Sequence, residues 1–179
     1  TPPGRSALRD IYDTLFRSRM GISAIAAGQC RRLADEVAGR ASSRIAFGRP
    51  IGEYDQVQFR LSALRGIEQV NQCLWHFVGA WKDSHNDVSG DHVLANATKV
   101  ISTDGLMAAA DSAMQIFAGA AYKRNHVVGR AFTDSRPFQI FEGSNDVLQE
   151  NTYEVLASRY GGVNIEVVGE ELERYGLKL

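Results

Sequence analysis

The stretch richest in chemistry is Phe138-Gln139-Ile140-Phe141-Glu142-Gly143-Ser144-Asn145-Asp146-Val147-Leu148. One carboxylate stands between aromatic and aliphatic neighbours, directly before a glycine and a helix start. If Ile140 and Phe141 wall Glu142 from water, burial disfavours its charged form and strengthens it as a base. Such a carboxylate suits general-base attack on a weakly acidic proton. Gly143 frees the backbone to place the side chain into a cleft, and the helix that follows offers unpaired N–H groups to an anion. A glutamate ahead of a helix is more often a solvated residue favoured by the helix dipole. Local physics leaves both readings standing.

Other chemistry is sparse. The two cysteines, Cys30 and Cys73, lie far apart in helix-like segments without CxxC spacing, which predicts buried free thiols. His76, His85, His92 and His126 lack HExxH-like spacing, so no metal site is expected. A net charge of −1 gives no overall field toward nucleic acid or an anionic membrane, so neither is an expected partner. The 44% hydrophobic and 23% charged fractions are those of a soluble globular protein. No apolar run approaches the roughly 18 residues that span a bilayer. The start, Thr1-Pro2-Pro3-Gly4-Arg5, has no signal pattern, and cytoplasm is the expected compartment.

The elements that must position Glu142 read as helices. Ile11, Leu15, Ile22, Ile25, Ala26, Leu33 and Val37 predict an amphipathic helix over about 6–45. Phe47-Gly48-Arg49-Pro50-Ile51-Gly52 breaks it, because a proline disfavours helical geometry at the residue before it. A second helix over about 55–84 carries Leu61, Leu64, Ile67, Val70, Leu74, Phe77, Val78 and Trp81 on one face. After the polar cluster at 86–91, an alanine-rich third helix over about 92–118 includes Gly105, which costs about 1 kcal/mol of helix propensity but permits close approach. Residues 128–143 read as a loop containing Pro137. Ser144 or Asn145 can cap a fourth helix to about 159, and Gly161-Gly162 ends it. The expected fold is all-α: a single-domain, up-down four-helix bundle over about 6–159 with a short helical tail at 163–179.

A family resemblance gives these elements a function. Gln139-Ile140-Phe141-Glu142-Gly143-Ser144-Asn145-Asp146 resembles the acyl-CoA dehydrogenase motif in which an aromatic-Glu-Gly-Thr/Ser run holds the catalytic base. Arg44-Ile45-Ala46-Phe47-Gly48-Arg49-Pro50-Ile51 resembles that family's Arg-x-x-Phe-Gly-x-Pro-Ile run. Asp111-Ser112-Ala113-Met114-Gln115-Ile116-Phe117-Ala118-Gly119 resembles its Asp-Ala-x-Gln-x-x-Gly-Gly run. Arg17-Ser18-Arg19 falls where members carry an arginine on the first helix of this domain. The segments occur in the family's order and span about residues 8–159.

The resemblance implies the C-terminal helical domain of an FAD-dependent enzyme of fatty acid metabolism, with the family's N-terminal helical and β domains absent from this chain. It implies a homo-oligomer, dimer or tetramer, an acyl-CoA substrate desaturated between its α and β carbons, and an electron acceptor for the reduced flavin. Glu142 is then the catalytic base, with Arg19 and Gly143 supporting its loop. Arg44, Phe47, Gln115, Gly119, Ser144 and Asp146 stand at cofactor-contacting positions, several of them reaching a neighbouring subunit's flavin. This piece alone is expected neither to hold FAD tightly nor to turn over substrate. Asp55, Ala120-Ala121 and Thr133 depart from the family pattern, and no carboxylate stands near Ser18, where some relatives place their base. An oligomerisation or binding module and a flavin oxidase are the alternatives on this scaffold.

Overall fold

A computed structural model describes residues 5–84 and 91–160. Its elements are α1 (Arg5–Ser43), a minimal hairpin of β1 (Ile45–Ala46) and β2 (Arg49–Pro50), α2 (Asp55–Ser84), α3 (Asp91–Phe117), α4 (Val127–Ser135) and α5 (Asn145–Tyr160). The all-α expectation holds, and α2 has the expected bounds. The expected tail at 163–179 and most of the polar cluster at 86–91 lie outside the described residues.

Polar ties set the helix directions. Arg65 on α2 bonds Asp35 on α1 at 2.6 Å, and Lys82 reaches Asp13 at 3.5 Å, so α2 runs back along α1. Buried Asn71 on α2 donates to the Ser102 carbonyl of α3 at 3.2 Å. On α5, Asn145 meets Thr103 while Thr152 lies beside Asn96, so α5 runs back along α3. The core fills the space between them: Ala26, Cys30, Leu33 and Val37 from α1 pack with Leu64, and with Leu106, Ala109 and Ala113 from α3. Small residues bring the axes close. A Cβ on Gly105 would stand 3.1 Å from the Ile67 side chain, which is why glycine is tolerated there in mid-helix.

Several expectations need correction. The apolar faces are broader than the core: Ile11 and Ile25 on α1 and Val70 and Phe77 on α2 are exposed. Cys30 is buried, and desolvation pushes its thiol up to about 12, but Cys73 is exposed. The expected loop at 128–143 is largely helix, with α4 followed by a 3-10 turn at Arg136–Gln139. There α4 is capped by a residue outside the usual capping set: His126 Nδ1 accepts from Val128 N at 3.2 Å. Val128 is fully buried and Phe132 packs against the core, so tertiary burial outweighs the low helix propensity of valine and glycine.

α1 ends where Ser43 Oγ donates to the Gly39 carbonyl at 2.7 Å. The chain then turns through Phe47 (φ 50°) and Gly48 (φ 84°) between the two short strands, Ile45 pairing with Pro50 and Ala46 with Arg49. Two successive left-handed residues match the twist of a tight hairpin. Phenylalanine is a costly occupant of such a position.

Candidate active site

The 3-10 turn delivers the chain to Glu142. The N–H groups of Ile140 and Phe141 both bond the Pro137 carbonyl, at 2.9 and 3.0 Å. Glu142 (φ 57°) and Gly143 (φ 97°) then adopt left-handed backbone, and α5 begins. Ser144 is the cap, with its Oγ accepting from Val147 N at 3.4 Å, while Asn145 turns its side chain inward.

This turn is held from beneath by α1 and α3. Ser18 Oγ donates to the Glu142 carboxylate at 2.7 Å, and Arg19 Nε donates to the Glu142 carbonyl at 3.1 Å. Arg19 also donates to buried Asn96 on α3 at 2.8 Å. Lys99, one turn along α3, donates to the Gly143 carbonyl at 2.9 Å and to Asn145 Oδ1 at 2.8 Å. Asn145 passes its own donors to Thr103 and Asp104. Every tie is charge-assisted or buried, the class that most strongly fixes geometry.

The electrostatics are cationic below the turn. Arg19 is buried, and desolvation lowers its pKa. Lys99 is fully buried, and desolvation followed by repulsion from Arg19 brings its pKa from 10.5 to about 8. A stability signature follows. Below about 8 the ammonium is charged in both folded and unfolded states, and its burial cost is fully present. Between about 8 and 10.5 the unfolded state holds more proton, so this contribution makes stability rise with pH. The urea midpoint of the protein should therefore climb relative to that of Lys99→Met as pH is raised through this window; a constant gap would contradict it.

The structure brings Glu142, Gly143, Arg19, Ser144 and Asp146 together where α5 begins against the middle of α3. One expectation fails: Ile140 and Phe141 are exposed, so they do not wall Glu142 from water. Ser18, Asn96, Lys99 and Asn145 were not singled out as site residues. A signal for Lys99 existed, because it falls in the α3 stripe of Ala95, Ser102, Leu106 and Ala109, where a solvated lysine does not belong.

Arg44, Phe47, Gln115 and Gly119 gather elsewhere, where α1 and α3 end. The residues from Arg19 to Ser43 span roughly 36 Å of helix at 1.5 Å per residue. Phe47 is 98% exposed at the hairpin tip. With Gln115 it lines a cleft of about 370 Å³ bounded by Tyr54, Val57, Arg60 and Ile116. Gly119 is exposed, with open space where a Cβ would project. Among the described residues the left-handed non-glycines are Phe47, Ala118 and Glu142, each at or beside a motif position. Such strain concentrates at functional sites.

Comparison with known proteins fits this arrangement. The chain is 27% identical over 135 residues to the mitochondrial very long-chain specific acyl-CoA dehydrogenase of Macaca fascicularis, covering 75% of this chain and 20% of that protein. It is 30% identical over 129 residues to an acyl-CoA dehydrogenase of Bacillus subtilis (strain 168), covering 72% and 33%. The solved structure of butyryl-CoA dehydrogenase from Megasphaera elsdenii superposes with a TM-score of 0.75 at 26% identity, over 81% of this chain and 37% of that one. The chain thus spans a fifth to about a third of these two sequence relatives. Residues 8–157 match the family model described as acyl-CoA dehydrogenase, C-terminal domain, and the chain belongs to that family.

Proposed function

We propose that this chain is the C-terminal domain of an FAD-dependent acyl-CoA dehydrogenase in which Glu142 removes the α proton of an acyl-CoA thioester. The observation that carries this reading is the strained Glu142–Gly143 turn, held by three polar side chains from two helices: Ser18, Arg19 and Lys99. A merely solvated glutamate needs no such support. The family's N-terminal helical and β domains would complete the pocket, which accounts for the open environment of Ile140 and Phe141.

The chain's residues divide the work. Ser18 holds one carboxylate oxygen at 2.7 Å, leaving the other free to accept the proton. Arg19 and Lys99 keep the backbone fixed through the Glu142 and Gly143 carbonyls. FAD would be held by Arg44 and Phe47, with Gln115 and Gly119 beside them, and by Ser144 and Asp146 near the base; when bound it supplies an acceptor for the hydride of the β carbon. The donor set fits that group: an exposed aromatic face suits a nucleobase, and guanidinium suits a pyrophosphate. The acyl-CoA and an electron acceptor for the reduced flavin are the implied partners.

The separation of the two clusters, roughly 24 Å along α3 from Lys99 to Gln115 and roughly 36 Å along α1 from Arg19 to Ser43, sets the expected assembly. The Arg44 cluster of one copy would serve the base of another, which makes a homo-oligomer part of the site. In the full-length protein, Arg44→Ala alone should lose flavin and Glu142→Gln alone should lose turnover. Mixed two-fold assemblies of the two variants should recover about half of the activity, because one of the paired sites receives neither lesion. Failure of mixing, with both variants folded and assembled, would place both residues in one copy's site and contradict the shared arrangement.

Ser18→Ala tests the carboxylate's orientation. The lost charge-assisted bond is worth about 1.5–3 kcal/mol, so turnover should fall by about 10- to 150-fold with flavin content unchanged. Turnover at the wild-type level would mean that the hydroxyl does not orient the base.

A further inference from the structure

Lys99 is fully buried on α3, and among the described residues no carboxylate lies in ion-pair contact with it. Its ammonium bonds the Gly143 carbonyl at 2.9 Å and Asn145 Oδ1 at 2.8 Å. Burying an ammonium without a carboxylate in contact is expensive. A methionine of similar reach would fill the same stripe without that cost. Retention of charge here calls for a role, and what the charge touches is the turn that carries Glu142 and the first residue of α5.

The geometry narrows the role. In a trans peptide the carbonyl and the next N–H point in opposite directions. With the Glu142 carbonyl drawn inward by Arg19 and the Gly143 carbonyl by Lys99, the N–H groups of Gly143 and Ser144 face away from the buried cations. Two consecutive peptide planes are thereby set, and with them the left-handed backbone of Gly143 that lies between.

We infer that Lys99 is a positioning residue for Glu142: its ammonium pins the Gly143 carbonyl to α3 and thereby aims the carboxylate at the α proton. This rests on the reading of Glu142 as the base. It separates proton removal from binding, because Lys99 lies beneath the turn, on the side away from solvent.

The test uses the full-length flavoprotein with a 3-oxoacyl-CoA as probe. Its α proton is acidic, and its enolate forms without any hydride step and absorbs at longer wavelength than the neutral thioester. For Lys99→Met the expected result is wild-type flavin content, a Kd for the saturated acyl-CoA within about 3-fold, and a bound enolate fraction reduced by about 10-fold or more. Unchanged enolate formation overturns the inference, as does a parallel loss of flavin, binding and enolate, which is what a purely structural lysine would give. If Lys99→Met does not fold, Asn145→Ala removes one of the two anchors while leaving the ammonium; enolate should then fall by about 3-fold or more at unchanged affinity. Unchanged enolate in that variant also overturns it. Glu142→Gln runs alongside. If it keeps the enolate, the base itself is wrongly identified; if it loses the enolate while Lys99→Met does not, only the role of Lys99 falls.

Discussion

Glutamine in place of Glu142 is expected to lower turnover of the full-length protein by about 10²–10⁴-fold, the usual contribution of a positioned general base. The substitution is otherwise quiet. An amide oxygen still accepts from Ser18 Oγ, and the Glu142 carbonyl that bonds Arg19 belongs to the backbone and survives. Glutamine and glutamate have similar backbone preferences, so the strain at φ 57° is unchanged. Thermal stability should therefore stay within about 0.5 kcal/mol of wild type. Flavin content and the Kd for acyl-CoA should hold as well, because the lost group acts on a proton rather than on binding. A folded Glu142→Gln protein that turns over at the wild-type rate would remove the base from this site and leave the strained turn without its function.

How much of this was legible beforehand follows from where the information sits. The long helices were readable because apolar residues recur at helical spacing in sequence, as in Leu64 and Val78 on α2. Glu142 and Gly143 stood out because the motif is contiguous. The supports beneath them were harder to see: Ser18, Asn96 and Lys99 are up to 124 residues away from Glu142 in the chain, and only helix packing joins them. Lys99 is the instructive case, since a lysine within a buried stripe is visible in the pattern but its partner is not. The reading of Ile140 and Phe141 as walls failed for a different reason. Apolar character predicts burial only if enough packs against it, and although the Phe141 ring meets Phe138, Ile140 stays 55% and Phe141 40% exposed. The short helix α4 was missed because its cap is a histidine side chain and its stability comes from Val128 in the core.

The second large effect is expected at Gly143, and it can be divided into its causes. At φ 97° a side chain is strained whatever space surrounds it. A Cβ there would also stand 2.9 Å from Leu148 Cδ2, and Leu148 is fully buried, so the leucine has little room to yield. Backbone strain of about 1–3 kcal/mol and overpacking of a similar size add, so Gly143→Ala should destabilise by about 2–6 kcal/mol. Turnover should fall too, because a relaxed turn carries the Glu142 carboxylate away from Ser18 and the Gly143 carbonyl away from Lys99. Leu148→Ala in the same chain discriminates the two terms. It opens space at the clash but leaves φ untouched, so the double variant should be less unstable than the sum of the single changes by about the overpacking term, about 1–3 kcal/mol. Catalysis should not return with it, since the backbone that aims the base remains strained. Strict additivity would mean that the leucine never obstructed the new methyl. Recovery of turnover alongside stability would mean that crowding, rather than the left-handed conformation, is what Gly143 relieves. Chemical denaturation of all four proteins, with turnover measured on each, gives both answers from one set of variants.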